Sequence, residues 1–246
     1  MYRIACAEIW GGIRGDDLAV STSGVRASLF ARACDGGKGG DVYYFSVCSS
    51  DLLTRIAIAD VMGHGAAVSE TSQWLFDSLK QRMNSAQGDE VLADLNQLTA
   101  ECGYKAMSTA VVAAFYRSDG NLYYCYAGHH PILIRRTSDH FWTEATIEDR
   151  GEMANLPLGV DDSAPFDQAN QPFATGDLLF LYTDGLIEAP NGDDGQFGLD
   201  RLRGVLDRVG NAEPDTLKSA VVTALMQHTG GSLAHDDVTF MAVQIR

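Results

Sequence analysis

Short apolar runs dominate the first quarter of the chain. Each run is rich in β-branched and aromatic residues, and glycine, aspartate or serine separates one run from the next. Runs of this length and composition are typical of β-strands that are buried in a sheet. The pattern predicts four strands, at Ile4–Trp10, Val25–Ala33, Val42–Cys48 and Thr54–Ala59.

The hydrophobic period changes after Gly65. From there apolar and small residues recur every three or four positions, which is the spacing of one face of a helix. A first helix is predicted along Val68, Ser72, Leu75, Leu79 and Met83. A second helix is predicted from Asp89, a candidate N-cap, through Glu101.

Strands resume after the second helix, and two more helices precede the last strand. The predicted strands are Thr109–Tyr116, Leu122–Ala127, Ile132–Arg135, Phe141–Thr143, Leu178–Tyr182 and Val238–Ile245. The predicted late helices are Leu199–Val209 and Pro214–Gln227. Because strands and helices occur in separate runs, the pattern favours an α+β fold in which antiparallel sheets pack together with helices outside.

Composition predicts a single domain over residues 1–246. The chain has 246 residues, of which 46% are hydrophobic, and this is enough for a substantial core. It has only 6 prolines, and no low-complexity or proline-rich segment divides it. The five cysteines are scattered and odd in number, so we expect reduced, buried thiols rather than a zinc site or a disulfide framework.

Charge narrows the range of partners. The formal net charge is −15 and the isoelectric point is near 4.6, which argues against a nucleic-acid partner and against an anionic membrane surface. The sequence has no apolar run of about 18 residues that could span a bilayer. The N-terminus also lacks the apolar segment of a signal peptide, so we expect a cytoplasmic protein.

Acidic residues stand at the ends of four predicted strands. Asp41 follows a glycine-rich turn, Asp60 and Asp184 each end a strand, and Asp236 precedes the last strand. Strand ends that are distant in sequence can meet at one rim of a layered β core. A partly desolvated carboxylate needs a partner, and hard oxygen ligands select Mg²⁺ or Mn²⁺ over zinc. Any single Asp-Gly pair is a common turn, so the prediction depends on the whole set.

The order of these motifs resembles a known family. The chain looks like the metal-dependent Ser/Thr protein phosphatases (PPM, type 2C), in their bacterial sporulation-stage-II-E and RsbU branch. The matching blocks cover roughly residues 39–245 in the family's order, and residues 1–38 match less distinctively. The blocks are Gly39-Gly40-Asp41, Ile58 to Gly65, Met107 to Ala110 leading into Ala127 to Pro131, Leu156 to Gly159, Gly176 to Gly185, and His235 to Thr239.

The resemblance implies a four-layer αββα sandwich of two antiparallel sheets flanked by helices, with a metal site at one edge. It implies two Mn²⁺ or Mg²⁺ ions, with a third left open. By that similarity Asp60 bridges both ions, the Val61 carbonyl helps one, Asp184 and Asp236 hold the other, and Asp41 acts at the rim. A metal-bridging hydroxide would attack phosphorus in line, without a phosphoenzyme.

Some residues depart from the family's pattern or leave two interpretations open. Tyr44 stands where relatives often have a second acidic residue, and Met62 stands where they usually have serine. His64 is either the proton donor to the leaving oxygen or a residue that shapes the turn. No arginine is assigned to grip phosphate; the candidates are Arg14, Arg26 and Arg32.

The resemblance also suggests partners. The expected substrate is a phosphoserine or phosphothreonine protein, such as a regulator of the anti-anti-sigma type, and a separate sensor protein is a candidate regulator. Two alternatives stay open: a catalytically inactive relative that binds a phosphoprotein or a signalling partner, and a phosphatase of small metabolites. The run from Asn191 to Gly195 is interpreted as a solvated loop beside Asp184, because it lacks the ligand spacing of a calcium-binding loop.

Overall fold

The computed structural model describes residues 2–4, 8–48, 50–83, 85, 87–148, 154–192 and 195–246. The first six strands in this part of the chain are β1 (Tyr2–Arg3), β2 (Ile9–Arg14), β3 (Asp16–Ser21), β4 (Val25–Arg32), β5 (Lys38–Val47) and β6 (Leu53–Val61). Helices α1 (Ser69–Arg82) and α2 (Gly88–Cys102) follow. The next strands are β7 (Ser108–Tyr116), β8 (Asn121–Ala127), β9 (Leu133–Arg135), β10 (Thr143–Glu144), β11 (Gln168–Pro172) and β12 (Leu178–Tyr182). The chain ends with α3 (Asp184–Ile187), α4 (Leu199–Val209), α5 (Pro214–His228) and β13 (Val238–Ile245).

The strands form two sheets. The six-stranded sheet has the order β11-β8-β7-β6-β5-β2, and the seven-stranded sheet has the order β1-β3-β4-β13-β12-β9-β10. All described strand pairs are antiparallel except that β1 runs parallel to β3. The second sheet therefore joins β4, from the start of the chain, to β13, from its end.

Alternation along the strands produces three apolar layers. Phe45 and Ile58 of the first sheet meet Leu29, Leu181 and Met241 of the second in a core between the sheets. The opposite faces of the sheets are covered by helices, because side chains alternate from one face of a strand to the other. Helices α1 and α2 pack on the six-stranded sheet, and α4 and α5 pack on the seven-stranded sheet. The predicted αββα sandwich of two sheets flanked by helices is confirmed.

Most predicted elements are present, with shifted ends. The predicted strand Ile4–Trp10 runs partly through residues 5–7, which lie outside the described residues, and β2 begins at Ile9. Asp89 is not the N-cap of α2, because the helix begins at Gly88 with Gln87 at the N-cap position. Asp89 lies instead in the first helical turn, where a carboxylate is favoured by the helix dipole.

The pattern missed several short or edge elements. Strand β3 is an edge-proximal strand with three charged or small polar residues, and β11 is a polar edge strand, so neither carries a continuous apolar run. The short helix α3 was not predicted, because a helix of one turn is too short to show a repeating hydrophobic pattern. The predicted buried thiols are only partly present: Cys125 is buried, whereas Cys34 and Cys48 are partly exposed and Cys102 is exposed. Cys6 lies outside the described residues.

None of the helices in the described ranges is both long and apolar enough to cross a membrane.

Candidate active site

The core between the sheets opens into an acidic cluster at one end. Asp41 lies near the start of β5 and Asp60 near the end of β6, and the two residues are direct partners in the antiparallel register. Asp41 has the same strand parity as Phe45, and Asp60 the same parity as Ile58, so both carboxylates face the second sheet. Residue 60 also pairs with Thr109 on the other side. The sheet therefore holds two carboxylates opposite each other, an arrangement that is unfavourable without a compensating charge.

The second sheet brings two further carboxylates to the same end. Asp184 is the first residue of α3, two residues after the end of β12, and Asp236 lies two residues before β13. Because β12 and β13 are neighbours in the sheet, their ends meet: the Thr183 N–H donates to the Thr239 carbonyl over 2.9 Å. The Thr183 hydroxyl donates to Asp41 Oδ2 over 2.9 Å and so joins the two sheets at the site.

Three of these carboxylates line one cavity of about 330 Å³. Its other described lining residues are Met62, Gly63, His64, Met107, Ser108, Thr109 and Pro157, with Asp60, Asp184 and Asp236 completing the set. Neither lysine nor arginine is among them. Asp41 is buried behind this cavity, at 6% exposure, and the backbone unit of Val61 continues β6 beyond Asp60.

Burial and repulsion between carboxylates raise the pKa values of Asp41, Asp60 and Asp236. Burial, followed by repulsion from Asp41, Asp184 and Asp236, raises the pKa of Asp60 to about 10. Burial raises the pKa of Asp41 to about 8, although hydrogen bonds from Thr239 and Thr183 oppose the shift. The pKa of Asp236 is also raised, mainly by burial. The site therefore holds negative charge poorly by itself, and a cation would relieve it.

The carboxylate oxygens of the cluster suit a hard divalent cation, but the described side chains alone do not provide three ligands to one ion. Carboxylate oxygens are the ligands that Mg²⁺ and Mn²⁺ prefer. Within the described part of the chain, however, no three His, Cys, Asp or Glu side chains form a group that could hold an ion by themselves. An ion at this end would therefore need a backbone carbonyl or water in addition to the carboxylates, which is common for Mg²⁺.

Asp237 fixes the loops around the cluster. It is 2% exposed, and its Oδ1 accepts a hydrogen bond from Cys34 N over 2.8 Å. Its Oδ2 accepts from Gly65 N over 2.9 Å and from Gly40 N. One side chain thus ties together the segment after β4 at Cys34, the start of β5 that carries Asp41, and the turn that carries His64. The sequence favours Asp236 as the ligand candidate and a supporting or capping role for Asp237. The particular contacts of Asp237 join residues 172 to 203 positions apart, which no spacing rule reveals.

Gly185 occupies a position where a side chain has no room. A Cβ atom there would lie 2.0 Å from the Asp237 carbonyl oxygen, which belongs to the backbone. We expect Gly185→Ala to destabilise the protein by about 1–3 kcal/mol or more, because the strand end must shift. Gly204→Ala is the matched control: it lies inside α4 with its nearest contact at 3.8 Å, so alanine there should be neutral or stabilising. Thermal unfolding of both variants checks this, and equal melting temperatures would contradict it.

His64 lies at the mouth of the cavity and is exposed. Its Nδ1 is 3.4 Å from Cys34 Sγ, and the glycines on either side have positive φ, at 102° for Gly63 and 64° for Gly65. Both interpretations of His64 therefore stay open, since the residue contacts the cavity and also stands in a tight turn. His129, by contrast, is buried, and its Nδ1 lies 3.0 Å from the Thr109 hydroxyl.

The cysteine nearest the site is not an activated nucleophile. Burial, followed by repulsion from Asp237, raises the pKa of Cys34 to about 11, so its thiol stays protonated at neutral pH. We expect alkylation by iodoacetamide at pH 7 to leave turnover nearly unchanged over a time in which exposed Cys102 reacts. Mass spectrometry of modified sites beside the residual rate checks this. Rapid, stoichiometric inactivation that maps to Cys34 would contradict it.

The three arginines considered for phosphate binding are not among the described lining residues of the carboxylate cavity. Arg14 and Arg32 line a crevice of only about 10 Å³ beside Asp41, too small for a phosphate. Arg26 forms an ion pair with Glu213. None of the three lines the carboxylate cavity in the described structure. Asp193 and Asp194 of the predicted solvated loop lie outside the described residues.

Solved structures share this fold. The phosphatase domain of SpoIIE from Bacillus subtilis, described as a PP2C phosphatase domain, superposes with a TM-score of 0.72 at 20% identity, covering 90% of this chain and 63% of that chain. RsbX, whose structure was solved in complex with magnesium, gives a TM-score of 0.69 at 16% identity, covering 94% of this chain and 100% of that one. The architecture is that of the PP2C-type phosphatase domains.

The sequence places the chain within one branch of that class. A family model described as Stage II sporulation protein E (SpoIIE) matches residues 50–246, so the chain belongs to the SpoIIE family. Phosphoserine phosphatase RsbU from Bacillus subtilis is 28% identical over 153 residues, which are 61% of this chain and 43% of RsbU. The chain thus aligns with less than half the length of that relative. The predicted SpoIIE and RsbU resemblance is confirmed.

Proposed function

We propose that this chain is a metal-dependent phosphatase that hydrolyses phosphoserine or phosphothreonine on a bacterial signalling protein. The main support is that Asp60, Asp184 and Asp236 line one cavity, with Asp41 buried behind it and no lysine or arginine among the described lining residues. Membership of the SpoIIE family and the likeness to phosphoserine phosphatase RsbU favour the same reaction.

The proposed metal site holds two Mg²⁺ or Mn²⁺ ions, with a third left open. Asp60 would contribute to holding both ions, Asp184 and Asp236 would hold one of them, the Val61 carbonyl would help to hold the other, and Asp41 would act at the rim. Ions bound there would make water nucleophilic at neutral pH and neutralise charge on the phosphoryl oxygens. The raised pKa values of Asp41, Asp60 and Asp236 support a cation at this position.

The chain's own residues would orient the reaction around that charge. The Thr183 hydroxyl holds the Asp41 carboxylate by a hydrogen bond. The Asp237 carboxylate accepts hydrogen bonds from Gly40 N and Gly65 N, and so holds the backbone next to Asp41 and His64. His64, at the cavity mouth, is a candidate to donate a proton to the departing serine or threonine oxygen. In-line attack would need no covalent intermediate with the protein, in keeping with the protonated state of Cys34.

The proposed unit is one phosphatase domain over residues 1–246. The core between the sheets includes Ile4 and Ile245, so both ends of the chain contribute to the same core. The proposed substrate is a phosphoprotein regulator of the anti-anti-sigma type, and a separate sensor protein is the proposed regulator. The acidic surface, with a net charge of −15, is compatible with a partner whose contact face is neutral or basic.

A catalytically inactive phosphoprotein-binding module is the second candidate. The observation that favours it is that no three described acidic, cysteine or histidine side chains form a metal-holding group by themselves. A phosphatase of small metabolites is a variant of the first proposal, since the cavity is open to solvent at His64.

Initial rates on four substrates separate these candidates. A phosphoserine peptide, a phosphothreonine peptide, a sugar phosphate and a nucleotide are compared in Mn²⁺, Mg²⁺ and EDTA. We expect turnover of the peptides that depends on the ion and exceeds the other two by at least about tenfold in kcat/KM. Equal or faster turnover of the sugar phosphate would contradict the protein substrate. Binding of the phosphopeptide without any hydrolysis would favour the inactive module.

A further inference from the structure

One side of the carboxylate cavity is apolar. Met62, Met107 and Pro157 line it together with the acidic residues, and we refer to these three residues as the apolar wall. The backbone holds them side by side: Met62 N donates to the Met107 carbonyl over 2.9 Å. Ser108 and Leu158 exchange two backbone hydrogen bonds, of 3.3 and 2.8 Å, in an antiparallel bridge, so Met107 and Pro157 lie diagonally across that bridge. The wall is therefore part of the folded framework.

Met62 is unusually placed for a large apolar side chain. It is 50% exposed, although it directly follows the buried strand end that carries Asp60 and Val61. A single exposed apolar residue needs no explanation, but three that share one side of a charged cavity form a surface. Methionine is flexible and polarisable, so it can adapt to different side chains.

The residues that line the cavity indicate which part of a substrate would contact the apolar wall. A phosphoryl group would have to reach Asp60, Asp184 and Asp236 at the floor, and the rest of the ester must leave through the mouth beside Met62. The described lining contains no lysine or arginine, so it offers no cation that could pair with acidic residues beside the phosphate. Besides the carboxylates and the polar groups of His64, Ser108 and Thr109, it offers apolar contact through the three residues of the apolar wall.

We propose that the apolar wall determines substrate specificity by holding an apolar side chain next to the phosphorylated residue of the protein substrate. This inference rests on the proposed phosphatase function and adds to it the chemistry of the preferred sequence. The substrate class is a phosphoprotein whose phosphoserine or phosphothreonine has leucine-like neighbours, and the same wall would disfavour polar neighbours of equal size.

Two peptides that differ only in polarity test the proposal. Both contain phosphoserine, flanked on each side by leucine in one peptide and by asparagine in the other, because these side chains are nearly equal in shape and both uncharged. N-acetyl phosphoserine amide serves as the reference without flanking residues. For the wild-type chain with Mn²⁺, we expect kcat/KM for the leucine peptide to exceed that for the asparagine peptide by about tenfold.

The variant Met62→Ala should bring that ratio down to about two or less, since it removes most of the exposed apolar surface. Because Met62 is half exposed, the substitution should leave the fold intact, which thermal unfolding verifies. The matched control is Leu18→Ala, which truncates another exposed apolar side chain outside the cavity and should keep the wild-type ratio.

The outcomes separate this inference from the proposed function. Hydrolysis of the reference compound with equal rates on the two peptides would overturn the apolar wall alone. An unchanged preference in folded Met62→Ala would also overturn it. If the wild-type chain hydrolyses none of the three compounds with either ion, the phosphatase function fails and the specificity proposal fails with it.

Discussion

Asp60→Asn is expected to lower kcat/KM on a phosphoserine peptide by a factor on the order of a thousand or more. Asp60 pairs with Asp41 in the six-stranded sheet, and it lines one cavity with Asp184 and Asp236 from the seven-stranded sheet side. Asparagine keeps the volume but removes the charge that would bridge two cations. The rate in saturating Mn²⁺ gives the measurement.

In the absence of metal, the same Asp60→Asn variant should be more stable than the wild type. Burial and the neighbouring carboxylates raise the pKa of Asp60, so the metal-free protein must keep this carboxyl protonated in order to fold. Asparagine is neutral in both states and removes that cost, so the variant should have a higher melting temperature in EDTA. Asp162→Asn, at an exposed turn position, is the matched control and should change neither activity nor melting temperature appreciably. Activity of Asp60→Asn within tenfold of wild type would contradict the metal assignment.

The second large effect is a fall in the stability of the metal-free protein as pH rises. The pKa of Asp41 is raised to about 8 and that of Asp60 to about 10, above the usual aspartate value that applies in the unfolded chain. Between the unfolded-state pKa, about 4, and these folded-state pKa values, the folded state binds more protons than the unfolded state. The free energy of unfolding therefore decreases as pH rises. The contribution is fully present below about pH 4 and is lost as pH rises through the folded pKa values.

Melting temperatures in EDTA between pH 5.5 and 8.5 measure this effect, and we expect a decrease of at least about 2 °C per pH unit. Mn²⁺ should reverse the trend, because the ionised carboxylates bind the cation and its stabilisation grows with pH. Asp60→Asn should show a shallower slope in EDTA. A slope that is identical in wild type and variant would show that the acidic cluster does not cause it.

The sequence predicted the fold where hydrophobic pattern and layer position agree. Strands such as β6 and β12 are buried on both faces, so they appear as continuous apolar runs, and both were found within one or two residues. Strand β3 was missed because its sequence mixes charged and apolar residues, and its pairing with β4, which the pattern does not show, determines its conformation. The start of α2 was misplaced because a carboxylate in the first turn and a carboxylate at the N-cap produce the same sequence signal.

The site was predicted in part. Strand-end position alone brought Asp41, Asp60, Asp184 and Asp236 under consideration, and the structure places all four at one end of the core between the sheets. Their assignment as metal ligands stays a prediction. The Thr183 bond to Asp41 depends on residues 142 positions apart, and no local pattern reports such a contact.

The most direct test of the proposed metal site is the hydrolysis of a phosphoserine peptide by the wild type and by Asp184→Asn in Mn²⁺, Mg²⁺ and EDTA. We expect turnover that requires Mn²⁺ or Mg²⁺ and is lost in the variant, while the circular dichroism spectra of the two folded proteins are similar. Turnover that persists in EDTA, or in folded Asp184→Asn with either ion, would contradict the two-metal site at this end of the sandwich.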